Sequence, residues 1–180
     1  MPRAALLLVL LSTACGEPRT ETPARVDPGA PAPAGLAPPR ALAAALPDRI
    51  GAFEAGAPAE HAIEPRGGAP ITRAERSYVD GQRTAVLRVI DATRAPELAI
   101  GFAAAQHLET EMGDRELVAT GVADRPALAS WDPATSTSEA QVLARSRLVI
   151  ALHVTPAREP DEAVALLDTI ALAELEALLR

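Results

Sequence analysis

Apolar and polar residues alternate through the middle of the chain with the period of two that is typical of β-strands. The clearest unit is a hairpin with strands over residues 72–79 and 82–91, joined by Asp80-Gly81, a pair that favours tight turns. Both faces of the second strand are partly apolar, which predicts a central strand covered on each side, with Arg88 near an edge. Further strands are predicted over residues 116–122, 127–132, 139–144 and 147–155.

Helical spacing of apolar residues appears in two longer segments. Pro96 suits the first position of a helix predicted to run to Met112, with Gly113 as its stop. A C-terminal helical region begins after Pro160 and is expected to break over residues 169–172. The shorter predicted elements are one helical turn over residues 41–46, a strand over 50–53 and a surface loop over 56–70.

The order of hairpin, helix, antiparallel strands and helix predicts an α+β fold. We expect an antiparallel β-sheet of about five to six strands, with one central helix and a C-terminal helical segment packed on it. This single globular domain is predicted to span residues 41–180. A domain of that length buries about two-thirds of its unfolded surface. The four aromatic residues all fall within it: Phe53, Tyr78, Phe102 and Trp131.

The segment before this domain has a different composition. Residues 16–40 contain seven prolines, scattered charges and almost nothing large and apolar. Such a segment cannot bury enough apolar surface to offset the entropy of ordering. It is predicted to be a disordered, partly polyproline-II tether.

The first fifteen residues have the pattern of an export signal. Arg3 supplies a positive charge, and residues 4–11 form an apolar run too short to span a bilayer. Small residues then precede Cys15. This segment resembles the signal peptide and lipobox of bacterial lipoproteins. It departs from the usual lipobox in one respect, because Ser12 occupies the position where Leu is usual and Leu11 lies one residue earlier. The domain behind this segment is similar to the many domains that follow lipoboxes, which implies no activity.

The lipoprotein resemblance implies that residues 1–14 are removed and that Cys15 receives a diacylglyceryl group, usually with an acyl chain such as palmitate on the new amino terminus. Several acyl chains make anchoring effectively permanent. The expected location is the cell envelope, with the domain in the periplasm; Gly16 after the cysteine favours the outer membrane over the inner one. The alternative is an ordinary secretory signal cleaved after Ala14, which leaves a soluble protein with one free thiol.

Charge and composition narrow the classes of partner. The formal net charge is −7, so binding to nucleic acid through electrostatic attraction is not expected. All basic residues are Arg and the chain has no Lys or Asn, as the codons of a GC-rich genome would produce. Arginine abundance is therefore not by itself a functional signal.

Motifs for covalent catalysis, phosphate binding and metal binding are not found in the sequence. No cofactor or metal is expected, because His61, His107 and His153 lack the close spacings of metal ligands. Trp131 and Asp132, at the end of a predicted strand beside a polar loop, are candidates for contact with a ligand or partner. For Trp131 the alternative is a packing role in the core.

Three functions follow from these observations. The first is a non-catalytic envelope lipoprotein that binds another protein or a small ligand. The second is an envelope hydrolase that uses Asp132, His107 or His153 as a general acid or base. The third is a carrier of lipids or other apolar ligands, which would need a cavity between the sheet and a helix.

Overall fold

The computed structural model describes residues 35–66, 68–107, 110–112 and 115–179. These residues form an α+β fold built on one antiparallel sheet of ten strands. The strands are β1 (Arg49–Ile50), β2 (Phe53–Ala55), β3 (Glu60–Arg66), β4 (Ala69–Asp80), β5 (Arg83–Asp91), β6 (Thr110–Met112), β7 (Arg115–Val122), β8 (Arg125–Asp132), β9 (Thr137–Ala144) and β10 (Leu148–Thr155). The helices are α1 (Pro39–Ala44), α2 (Pro96–Ala105), α3 (Glu162–Asp168) and α4 (Leu172–Ala177).

The strand order is β1-β2-β4-β5-β10-β9-β8-β7-β6, so the C-terminal strand β10 lies at the centre beside β5. Strand β4 is long enough to take two partners along one edge. It pairs with β3 over its first half and with β2 near Tyr78. Strands β4, β5, β10, β9 and β8 therefore form a wide, continuous platform with two faces.

The sheet is larger than the predicted five to six strands for three reasons. The strand predicted over residues 50–53 divides into β1 and β2, β6 forms where the helix was expected to continue, and the segment over residues 56–70 is not a loop. Strand β3 occupies residues 60–66 of this segment and pairs with β4, with Pro65 directly opposite Pro70. Proline cannot donate to a ladder but is tolerated at sheet edges, and β3 pairs with β4 alone among the described strands. Pro65 therefore belongs to an edge strand rather than to a loop.

The predicted hairpin between β4 and β5 is confirmed, but Asp80 pairs with Arg83, so the turn is Gly81-Gln82 rather than Asp80-Gly81, with Gly81 in the left-handed conformation. In two other tight turns, Ala123-Asp124 and Arg145-Ser146, both residues have positive φ, as type I′ turns require.

The expectation of one central helix is not confirmed. Helix α2 begins at Pro96 as predicted but ends at Ala105, well before Met112, which lies in β6. The expected stop at Gly113 lies outside the described residues. β-Branched Thr110 starts the strand, and cross-strand pairing with β7 competes successfully with helix continuation there. Helix α2 covers only part of one face, as shown below.

The other face of the sheet carries the main core. Helices α1, α3 and α4 pack against it, and the predicted break in the C-terminal helical region separates α3 from α4. The fully buried side chains of this face alternate along the central strands, as a half-covered sheet requires. They include Ala85, Leu87 and Val89 of β5, Ala140 and Val142 of β9, and Leu148, Ile150, Leu152 and Val154 of β10.

Ser138 fastens α3 to this face. The side chain is fully buried on β9, and its hydroxyl donates to the Pro160 carbonyl at 2.7 Å and accepts from the Ala163 N–H at 3.1 Å. Helix starts leave unpaired N–H groups that need acceptors. A residue of the sheet supplies one here, which fixes the position of α3 on the core.

The signal peptide over residues 1–14, Cys15 and the tether up to residue 34 lie outside the described residues. The packed chain begins earlier than the expected boundary at residue 41, because Leu36 and Ala37 are already buried. In the part of the chain that the structure describes, no helix has the length and apolar character needed to cross a bilayer.

A substitution at Gly51 tests how closely α3 packs against the turn between β1 and β2. Gly51 has φ +57° between β1 and β2, and a Cβ there would lie 2.6 Å from Cδ2 of Leu166. We expect Gly51→Ala to lower the free energy of unfolding by about 2–4 kcal/mol, combining left-handed backbone strain of about 1–2 kcal/mol with overpacking. Urea denaturation measures this loss.

Gly81→Ala is the matched control for that prediction. Gly81 has nearly the same φ, +63°, but nothing lies within 4 Å of its added Cβ. The control should therefore lose only the backbone contribution of about 1–2 kcal/mol. Equal losses of unfolding free energy in the two variants would show that contact with Leu166 does not add to the destabilisation.

Candidate functional site

The face of the sheet opposite the main core is only partly covered. Helix α2 lies over one end of it, where Phe102 and Ala105 pack with Leu128 and Leu143. The Gln106 side chain donates to the Ala127 carbonyl at 3.0 Å and holds the end of this helix to the sheet. The rest of this face, which we call the open face, is bounded by α2 and contains two adjoining cavities.

The first of them, the helix cavity, lies between α2 and the sheet and has a volume of about 310 Å³. This volume is at the lower end of the range of about 300–1,000 Å³ typical of small-molecule sites. Its walls combine aliphatic and aromatic side chains with charged ones. They are Glu64, Arg66, Ile71, Arg73, Arg88, Ile90, Leu98, Phe102, Gln141, Val149 and Ala151.

A chain of ion pairs runs along one side of this cavity. Nε of Arg73 lies 2.8 Å from Glu64, and another nitrogen of its guanidinium lies 3.1 Å from Glu75. The same Glu75 oxygen accepts from Nε of Arg88 at 2.5 Å. Glu75 and Arg88 face each other across β4 and β5, so strand register brings these charges together.

Arg73 shows how firmly these charges are held. Burial lowers the pKa of Arg73, but hydrogen bonds and the negative charges of Glu64 and Glu75 outweigh burial and raise it. The guanidinium therefore stays charged at every physiological pH. The ion pairs give the cavity a fixed, mostly prearranged polar side.

A second cavity of about 410 Å³, the histidine cavity, adjoins the first and shares Arg88 and Ala151 with it. His153 is exposed here and sits opposite Glu139 across β9 and β10. The remaining residues that line the histidine cavity are Glu75, Val86, Ser130, Asp132 and Thr137. The two cavities together make a continuous surface that runs across β4, β5, β10, β9 and β8.

The two residues singled out from the sequence point to opposite faces. Asp132 lines the histidine cavity, and its carboxylate accepts from the Ala134 N–H at 3.0 Å in the following turn. Trp131 is half-buried and pairs with Ser138, whose side chain lies on the α3 side of the sheet. Because neighbouring strand residues alternate between faces, Trp131 and Asp132 do not form one contact surface.

The histidines are well separated in the fold. His61 lies on β3 rather than on a loop, His107 is exposed just after α2, and His153 is exposed on β10. Among the described residues, no group of three His, Cys, Asp or Glu side chains is placed to hold a metal ion. Of the three candidate acid–base residues, Asp132 and His153 share a cavity, whereas His107 does not line it.

Sequence reasoning did not identify the ion-pair residues of the open face. Arg88 was expected near an edge, but β5 lies between β4 and β10 in the middle of the sheet. The available signal was alternation: Arg73 and Glu75 on β4, and Glu139 and Gln141 on β9, occupy every second position, with small or apolar residues such as Ala74 between them. Polar alternation on several central strands indicates a sheet face that is open to solvent.

No protein-family model, curated protein or solved structure matches this chain. The functional conclusion therefore depends on the residues of the chain itself. The helix cavity and the histidine cavity, joined at Arg88 and Ala151, are the features of the described region on which it is built.

Proposed function

We propose that the chain is a membrane-anchored envelope lipoprotein whose domain is a non-catalytic binding module. The anchor is the diacylglyceryl group on Cys15, and the domain lies in the periplasm, at the outer membrane. Support for the anchor comes from the charged start, the short apolar run and the small residues before Cys15. A tether over residues 16–34, before the packed chain begins, would leave the domain free to reach partners away from the membrane surface.

The helix cavity carries the binding part of this proposal. A concave site with apolar walls and a few fixed polar groups is the usual form of a small-molecule site. Its position between the sheet and α2 is the one that the carrier hypothesis requires. The ion pairs around Arg73 and Arg88 hold the polar side in place without a ligand, so little ordering would accompany binding.

A hydrolase is the second candidate, supported by Asp132 and His153 in one cavity with Glu139. General acid–base catalysis needs these groups within hydrogen-bond reach of a substrate. Assays of the mature protein with ester, peptide and glycan substrates test this candidate. Turnover that is lost in both His153→Ala and Asp132→Ala would replace the binding module with an enzyme.

Native mass spectrometry of the protein, gently extracted from its own bacterial envelope, tests the binding module. We expect a mass above that of the chain and its acyl groups, which reveals a carried ligand. Ala151→Trp should reduce the occupied fraction at least about tenfold, because Ala151 lines both cavities and a Trp side chain would fill their shared floor.

Ala165→Trp is the matched control, since Ala165 is exposed on α3, on the opposite side of the sheet. The Ala165→Trp variant should carry the same bound mass as the wild-type protein. Wild-type protein that carries only its acyl groups would contradict stable carriage. A ligand retained equally by Ala151→Trp and the control would place the binding site elsewhere.

A further inference from the structure

The helix cavity has one apolar side and one cationic side. Leu98 and Phe102 of α2 form the apolar wall and face Ile71, Ile90 and Val149 of the sheet. The charged side chains lie toward β3 and the middle of β4 and β5. A ligand that fills this cavity must therefore present an apolar body to α2 and a polar group to the opposite side.

The charge of the polar side is positive. Three arginines line the cavity, Arg66, Arg73 and Arg88, against the single carboxylate of Glu64. Adding Glu75, which pairs with both Arg73 and Arg88, still leaves an excess of one positive charge. This excess is notable in a chain with a formal net charge of −7.

Arg66 is the source of that excess. Arg73 and Arg88 are bonded to Glu64 and Glu75, whereas Arg66 has no ion-pair partner among the described residues. Arg66 is the last residue of β3, is half-buried and lines the cavity. A partly buried guanidinium is stabilised by an anion, and it matches a carboxylate with two parallel hydrogen bonds.

We infer that the helix cavity binds a single-chain anionic amphiphile, a fatty acid, with its carboxylate on Arg66 and its alkyl chain between α2 and the sheet. The inference rests on the proposed binding function and names its ligand class. Charge complementarity at Arg66 selects an anion, and the apolar wall selects an alkyl chain. The small volume favours one chain over a lipid with several.

Calorimetric titration with dodecanoate, below its micelle concentration, tests the inference. The protein is the mature chain, residues 15–180, with Cys15→Ser so that no attached acyl chain competes; it keeps every residue that the structure describes. We expect saturable binding with one site. Dodecyltrimethylammonium, which has the same alkyl chain and a positive head, should bind at least about tenfold more weakly.

Arg66→Glu should weaken dodecanoate binding about tenfold or more, and Arg66→Gln by a smaller factor. Arg40→Glu makes the same change in net charge at an exposed position of α1 and should leave the affinity unchanged. Circular dichroism of each variant establishes that it is folded. The Gln variant keeps the test available if the Glu variant does not fold.

Several results would overturn the inference. Equal binding of the cationic and anionic amphiphiles would show that the apolar wall alone selects the ligand. Unchanged affinity in both Arg66 variants would remove the carboxylate contact. If dodecanoate fails to bind, but the native protein carries a bound mass that Ala151→Trp removes, the ligand class is wrong and the binding module stands. If dodecanoate fails to bind and the native protein carries no bound mass that Ala151→Trp removes, the proposed binding module is wrong too.

Discussion

Asp91→Ala is expected to lower the free energy of unfolding by about 3–5 kcal/mol, the loss typical of removing one partner from a buried ion pair. Asp91 has no solvent exposure and lies at the end of β5. Its carboxylate faces Arg147 at 3.1 Å from Nε and 3.0 Å from a terminal nitrogen. Without the carboxylate, the guanidinium loses its partner at the edge of the core.

The same carboxylate also joins separate parts of the chain. It accepts from the Ala37 N–H at 2.7 Å and from the N–H and hydroxyl of Thr93 at 3.0 and 2.5 Å. Arg147 in turn donates to the Gly35 carbonyl. Asp91 thus fastens the beginning of the packed chain, where the proposed tether ends, to the central strands.

Urea denaturation at neutral pH measures the loss in Asp91→Ala. Asp48→Ala is the matched control: Asp48 also pairs with an arginine, Arg76, at 2.6 Å, but its side chain is 96% exposed. Exposed pairs contribute about 0–1 kcal/mol, so the control should change little. Similar losses in the two variants would show that the network around Asp91 contributes no more than a surface pair.

The stabilisation from Asp91 should also depend on pH. Burial raises the pKa of Asp91, but hydrogen bonds from Arg147, Thr93 and Ala37 outweigh burial and hold the pKa below its usual value. A carboxyl with a lowered pKa in the folded state stabilises the protein above its unfolded pKa of about 3.9, and that stabilisation is lost as the pH falls toward the folded pKa. The difference between wild type and Asp91→Ala should therefore be constant near neutral pH and shrink below about pH 5. A difference that stays constant to pH 3 would contradict this account.

Local patterns predicted the fold where one element dictates its own structure. The hairpin of β4 and β5 follows from alternation around Gly81, and the break between α3 and α4 follows from the residues at 169–172. The extent of α2 and the existence of β3 could not be predicted in this way. Both are decided by pairing with the next strand of the chain, β3 with β4 and β6 with β7, and the propensity of a single segment does not contain this pairing.

The candidate site was harder to predict for the same reason. Glu64, Arg73, Glu75 and Arg88 come from three strands and meet only through the register of β3, β4 and β5. Trp131 lies at the end of a strand beside a polar loop, yet that position carries no information about which face its side chain occupies. Asp132 reaches the open face because it follows Trp131 by one position.

The separation of the main core from the layer under α2 leads to a second large effect. Leu152→Ala should lower the free energy of unfolding by about 3–5 kcal/mol, toward the upper part of the range for buried Leu→Ala changes. Leu152 is fully buried on β10, with Leu87 and Ala140 as its cross-strand neighbours. Helices cover this face, so the space left by the missing atoms stays enclosed and cannot fill with water.

Leu98→Ala makes the same chemical change under α2 and should cost only about 1–2 kcal/mol. Leu98 is also buried, but it belongs to a small cluster and lines the helix cavity, which is already open to solvent. Removing the Leu98 side-chain atoms enlarges an existing cavity and does not create a new enclosed one. The expected loss of unfolding free energy is therefore only the transfer free energy of those atoms. Urea denaturation of both variants measures the contrast, and hydrogen exchange in Leu98→Ala should show faster exchange confined to α2. Equal losses would mean that the contact of α2 with the sheet is packed as tightly as the main core.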